Sequence, residues 1–210
     1  MIVCLGWGSL IWDIDGLPVE KLERGLPVPP WVLSPEGGDV GDWKPDGPEV
    51  RVEFVRQSGR DRDRLTLVLY DAAERHPCLW ARMTVGTRDE AVRALTRREY
   101  PKIPKAKIDD WSKINIGRWS KGKAAPTLIP SLGVWATDRD IEHVIWTALG
   151  PKFCGLPVAP TEDQAVSYLR RLFDKKKAAE AEKYVRRTPP QIDTAYRRRI
   201  IRCLGWTPVA

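Results

Sequence analysis

Two groups of residues are placed to do chemistry. In residues 87–100, TRDEAVRALTRREY, the apolar positions Val92 and Leu95 recur at helical spacing, and Glu99 falls on the same stripe. A carboxylate stands where a core residue is expected. Pro101 disfavours helix at Tyr100, so Glu99 must lie in the last turn, where the carbonyl end of the helix dipole repels an anion. Desolvation and dipole both predict a raised pKa, which suits a general base that takes a proton from an amine or hydroxyl near neutrality. The competing reading of the same spacing is a surface anion paired with Arg97, Arg98 or another basic neighbour.

The second group opens the chain. In IVCLGWGSLIW, residues 2–5 read as a buried strand that breaks at Gly6 and Gly8. Glycines there predict backbone conformations closed to other residues, with the amides of Trp7, Gly8, Ser9 and Leu10 turned toward an anion. A tight turn without a ligand satisfies the same residues. The segment is neither a dinucleotide fingerprint nor a phosphate loop. It also lacks the glycine after Ser9 that a nucleophile elbow needs, so Ser9 is not read as a nucleophile.

The elements that must position these groups follow from patterning. Strands are expected at 50–54, 65–70 and 78–85, with the polar RQSGRDRDR making a turn between the first two. A helix opening at Thr87 or Asp89 follows, acidic early and basic late. Further expectations are a strand at 127–136, helices at 138–149 and 161–173, a charged linker over 174–190 ending in Pro189 and Pro190, and a helix at 191–203. Residues 13–49, rich in Pro, Gly and Asp and holding Trp31 and Trp43, read as a long ordered surface loop. Strands early and helices late predict an α+β domain whose mixed or antiparallel sheet closes toward a barrel.

Composition narrows the function classes. With 210 residues and a 42% hydrophobic share, the chain can bury one ordinary core. The first residues carry no basic n-region, and their apolar run stops at Gly6, so a soluble protein of the cytoplasm is expected, without a membrane partner. Cys4, Cys78, Cys154 and Cys203 are scattered and read as reduced core residues, and His76 and His143 are the chain's two histidines, so the usual transition-metal ligands are missing and no metal cofactor is expected, an all-carboxylate site staying open. A net charge of +7 and a pI near 9.3 suggest nucleic acid, but the excess lies largely in segments 170–183 and 186–202, where mixed charges also suit a solvated helix face.

Several segments carry a family resemblance. LGWGSLIW resembles the FGYGSLIW opening of the gamma-glutamylcyclotransferase fold, in its ChaC-like branch. EFVRQSGRDR resembles that branch's R-F-x-Q-x-S-x-D-H-R segment, with Phe54, Ser58 and Arg62 kept, and RALTRREY is similar to the L-x-x-R-E stretch whose catalytic glutamate falls on Glu99. ALGPKFCGLPVAPTEDQAVSYLRRL resembles the family's late helical region. The likeness spans roughly residues 2–172, which sets a domain at 1–173 apart from a basic helical extension at 174–210.

The resemblance implies a small β-barrel with flanking helices and a cofactor-free enzyme. Amides of the first loop, Gly6 to Leu10, hold the α-carboxylate of a γ-glutamyl amide or amine such as a glutathione-like compound. Glu99 deprotonates its α-amine, and Ser58 and Arg62 supply further substrate contacts. The product is 5-oxoproline. The chain departs from the family pattern at Trp7, which lacks the hydroxyl of the family's aromatic, and at Glu53, Arg56 and Asp61 in the middle segment. Two other classes stay open: a non-catalytic relative that binds a small carboxylate, and a nucleic-acid-associated protein using the basic C-terminal helices. Neither the oligomeric state nor the substrate's leaving amine follows from the sequence.

Overall fold

The computed structural model describes residues 1–12, 43–58, 63–100 and 103–209. The α+β class is as expected: two sheets are flanked by helices, and neither sheet closes into a barrel among the described residues. Arg62 and most of the expected loop at 13–49 lie outside those residues. The described chain divides into two compact units.

The first unit comprises Met1–Gly6, Leu10–Pro48 and Cys78–Leu149. Its sheet has the order β5-β1-β7-β6, with β1 at Ile2–Gly6, β5 at Leu79–Arg82, β6 at Ile116–Ser120 and β7 at His143–Thr147. Strand β1 runs antiparallel to β5 and parallel to β7, pairing Cys4 with Ala81 on one side and Ile145 on the other. Every residue of β1 is buried, as a central strand covered on both faces requires.

Helix α1, Arg88–Glu99, covers one face of this sheet. Thr87 caps it, accepting the Glu90 amide while the Glu90 carboxylate accepts the Thr87 amide, so two amides with no partner in the helix are satisfied together. Ala91, Val92 and Leu95 pack with Ile2, Cys4, Ile116 and Ile145 in one core. Helix α2, Ile108–Asn115, lies beside α1, and the Tyr100 and Trp111 rings meet at 6.2 Å. Helix α3 spans Leu132–Thr137, with Leu132, Trp135 and Ala136 buried.

Two expected elements are exchanged. Residues 127–136 hold turns and α3 instead of a strand, because Ile129, Leu132, Trp135 and Ala136 recur at helical spacing and are buried together while Val134 faces out. Residues 138–149 hold strand β7 instead of a helix. There the run Val144, Ile145 and Trp146 is buried throughout, the pattern of a strand covered on both sides.

The tryptophans do local packing. The Trp80 ring lies edge-on to Trp135 at 5.5 Å. Asp46 accepts from Trp80 Nε1 and Arg139 at 2.8 Å each, and its backbone carbonyl accepts from Trp135 Nε1 at 2.8 Å. This ties residues 43–48 to β5 and α3.

The second unit comprises Trp7–Ser9, Glu49–Pro77 and Gly150–Ala210. Its sheet has the order β3-β2-β4, from β2 at Glu49–Ser58, β3 at Arg64–Leu69 and β4 at Arg75–Pro77, all antiparallel to β2. Helices α4 (Glu162–Asp174), α5 (Ala179–Arg187) and α6 (Ala195–Leu204) belong to this unit, α5 packing on β3 and α6 on β2 and α4. Helices α5 and α6 therefore pack against the sheet of this unit, on β3 and β2. Instead of a linker, 179–187 is a helix whose Ala181, Tyr184 and Val185 are buried.

Cys4 and Cys78 are buried thiols, as expected, whereas Cys154 and Cys203 are exposed. Among the described residues no helix is long and apolar enough to cross a membrane, and no three His, Cys, Asp or Glu side chains gather as metal ligands.

Candidate active site

Glu99 is the last residue of α1, and the Tyr100 amide closes the helix by donating to Thr96 O at 2.8 Å. The carboxylate is half-buried, one turn beyond the fully buried Leu95. Leu95, Cys4 and Leu10 belong to one packed core, which α1 enters by packing on β7 and β6, strands of the same sheet as β1. Burial pushes the Cys4 thiol up, and the negative charge of Glu99 adds to that. The carboxylate thus acts electrostatically on a residue two positions before Gly6.

The glycine turn is built differently from the expectation. Gly122, Gly155 and Gly205 are the described glycines with positive φ, so neither Gly6 nor Gly8 uses a left-handed backbone. Close approach explains both instead. A Cβ on Gly6 would stand 2.8 Å from the Trp43 ring, and one on Gly8 would stand 2.1 Å from Tyr184 Oη. Neither position has room for a methyl group.

The turn divides between the units. Gly6 and Leu10 belong with Glu99 in the first, Leu10 being buried at the centre of a 3-10 turn, Ser9–Ile11. Trp7, Gly8 and Ser9 belong to the second, where Trp7 and Gly8 are buried and Ser9 is half-buried. Ser58, also in the second unit, ends β2 opposite Arg64. Its neighbour Gln57 donates its amide to Lys152 O at 2.7 Å and accepts the Cys154 amide at 2.7 Å, holding the loop before α4.

Glu53, which departs from the family pattern, has a structural task. Its Oε1 accepts from Thr194 Oγ1 at 2.5 Å and from the Phe54 amide at 2.8 Å, and its Oε2 accepts from the Tyr196 amide at 3.3 Å. Thr194 in turn caps α6 by accepting the Arg197 amide. The carboxylate closes the positive end of a helix. Burial nevertheless pushes Glu53 up to about 7, the three donors pulling only part of the way back.

The basic residues of the C-terminal helices are widely engaged. Arg186 pairs with Glu182, Arg198 with Glu74 and Asp193, and Arg199 with Asp163 and Glu162. Arg197 is buried with backbone carbonyls for partners.

Two aromatic residues against the turn, Trp43 and Tyr184, are absent from the sequence-derived site. Tyr184 was legible in principle, since Ala181, Tyr184 and Val185 make an apolar stripe at helical spacing within charged residues. Comparison of the chain with family models, curated proteins and solved structures finds no match.

Proposed function

We propose that this chain is a cofactor-independent γ-glutamylcyclotransferase, built on an α+β scaffold of that type, that releases 5-oxoproline from a small γ-glutamyl amide or amine. The observation that carries the reading is the position of Glu99: a half-buried carboxylate ending a helix whose Leu95 packs with Cys4 and Leu10, the residues bracketing the glycine turn.

In this reading the amides of residues 6–10 hold the substrate's α-carboxylate. Glu99 takes a proton from the α-ammonium group, and the freed amine attacks the γ-carbonyl carbon. The C–N bond to the leaving amine then breaks as Glu99 returns the proton to that nitrogen. The carboxylate next takes the second proton of the attacking nitrogen and passes it to the departing amine, which leaves as an ammonium ion, and the new amide is 5-oxoproline. Because nucleophile and electrophile belong to one molecule, correct folding of the substrate chain supplies much of the rate. Backbone donors of the turn also suit the oxyanion that forms on the carbonyl.

The test is product identity in water enriched in oxygen-18, with a panel of γ-glutamyl amides and amines. Ring closure gives 5-oxoproline without the heavy isotope, and the amine is freed in equal amount. Labelled glutamate would mean hydrolysis and would overturn the cyclisation, whereas binding of the panel without any turnover would favour a carboxylate-binding relative.

A further inference from the structure

We infer that Tyr184, on a helix of the C-terminal segment, is a positioning residue that sets the glycine turn for substrate binding; the inference rests on the cyclotransferase reading. Tyr184 is 3% exposed, and its ring meets Phe54 edge-on at 6.0 Å. Its hydroxyl accepts the Leu67 amide at 3.3 Å, beside the point where the β2–β3 register shifts between Phe54 and Arg56. The same oxygen lies 2.1 Å from where a Cβ on Gly8 would be.

One hydroxyl therefore meets two backbones, the irregular part of the β2–β3 ladder and the middle of the turn. The ring cannot move aside cheaply, because it is buried against Phe54 and carried on a helix packed on β3. The turn rests on the hydroxyl as on a stop, and its amides keep the direction this contact sets. A side chain acting this way alters how well the substrate's carboxylate is held more than how fast the held substrate reacts.

The test uses the full-length chain and three variants, each checked by melting temperature, with KM and kcat for the γ-glutamyl compound the wild type turns over best. Tyr184→Phe keeps the ring and removes the stop, and KM is expected to rise about tenfold with kcat within about twofold of wild type. Gly8→Ala meets the hydroxyl and is expected to lose about a hundredfold in kcat/KM. Adding Tyr184→Phe to Gly8→Ala removes the 2.1 Å contact and leaves the ring Cζ 3.1 Å from the methyl group, a gap that a small shift opens, and is expected to restore at least about tenfold of that loss, a rescue that no independent pair of defects would give. An unchanged KM in Tyr184→Phe, together with a double variant no better than Gly8→Ala, overturns the inference and leaves the cyclotransferase reading standing. A wild-type chain that neither binds nor turns over any γ-glutamyl compound overturns that reading, and the inference falls with it.

Discussion

Glu53 on β2 and Thr194 at the start of α6 are joined by a 2.5 Å hydrogen bond between residues 141 positions apart in the chain. The threonine hydroxyl donates to the carboxylate while accepting the Arg197 amide, so a single side chain links the sheet to the cap of the last helix. Glu53→Ala strands that hydroxyl and the amides of Phe54 and Tyr196 in a buried place. A loss of about 2–4 kcal/mol in urea unfolding is expected, and a smaller one for Glu53→Gln, which keeps an acceptor.

The same carboxylate makes stability depend on pH. Burial holds Glu53 at about 7 against an ordinary value of 4.5, and the nearby Glu162 carboxylate adds slightly. Between those values the folded chain keeps a proton that the unfolded chain has released. Its contribution is therefore fully present below about 4.5 and is lost as the pH rises through about 7. The difference in unfolding free energy between wild type and Glu53→Gln should fall by about 1–3 kcal/mol from pH 4.5 to pH 7.5; His76, whose shift is downward, titrates in the same window with the opposite sign, but its contribution is common to both chains and cancels in the difference. A difference that stays flat across the window would refute the assignment.

Gly117 is required by its neighbour across the ladder. It pairs with Trp146 in adjacent strands, and a Cβ on it would stand 2.1 Å from the indole Nε1 and Cε2 atoms. The indole lies over the glycine of the edge strand β6. Gly117→Ala should cost about 1–3 kcal/mol by overpacking, and Trp146→Ala about 3–5 kcal/mol by cavity formation. In the double variant the first cost should largely vanish, which thermal or urea melts will show.

Arg197 is 1% exposed and donates to Thr188 O at 2.6 Å, Pro189 O at 2.8 Å and Ile192 O at 3.0 Å. The planar guanidinium reaches three carbonyls of the turn between α5 and α6 from two nitrogens, a spread that the single nitrogen of an ammonium does not match. Arg197→Lys should destabilise the chain by about 2–4 kcal/mol, read from the shift of its urea midpoint.

How much of this was legible in the sequence depended on whether a pattern was local. Strand β1 showed because its apolar run stops at a glycine, and α1 because cap, charge order and Pro101 agree on both ends. Glu99 could be placed on its helix for the same reason. The exchange of α3 and β7 came from reading single apolar runs without knowing how many faces each would bury, which only the sheet order settles. Helix α2 and strand β6 went unseen because each is short, and the polar residues around Ile108 and Ile116 dilute their periodicity. The left-handed backbone expected at Gly6 and Gly8 is absent, and their constraint comes from the Trp43 and Tyr184 side chains, which lie far along the chain. A long-range contact of that kind leaves no local signal. The charged stretch after residue 174 concealed a buried stripe in the same way, since most of its residues face water while Ala181, Tyr184 and Val185 do not.

The most direct test of the central claim is 5-oxoproline release by Glu99→Gln, measured beside wild type on the same γ-glutamyl substrate, with the melting temperature of both. The carboxamide keeps the shape and cannot take a proton, so turnover should fall by about a hundredfold or more while the melting temperature stays near that of wild type. Turnover within about twofold of wild type would contradict the account, because the proton would then be taken by another group.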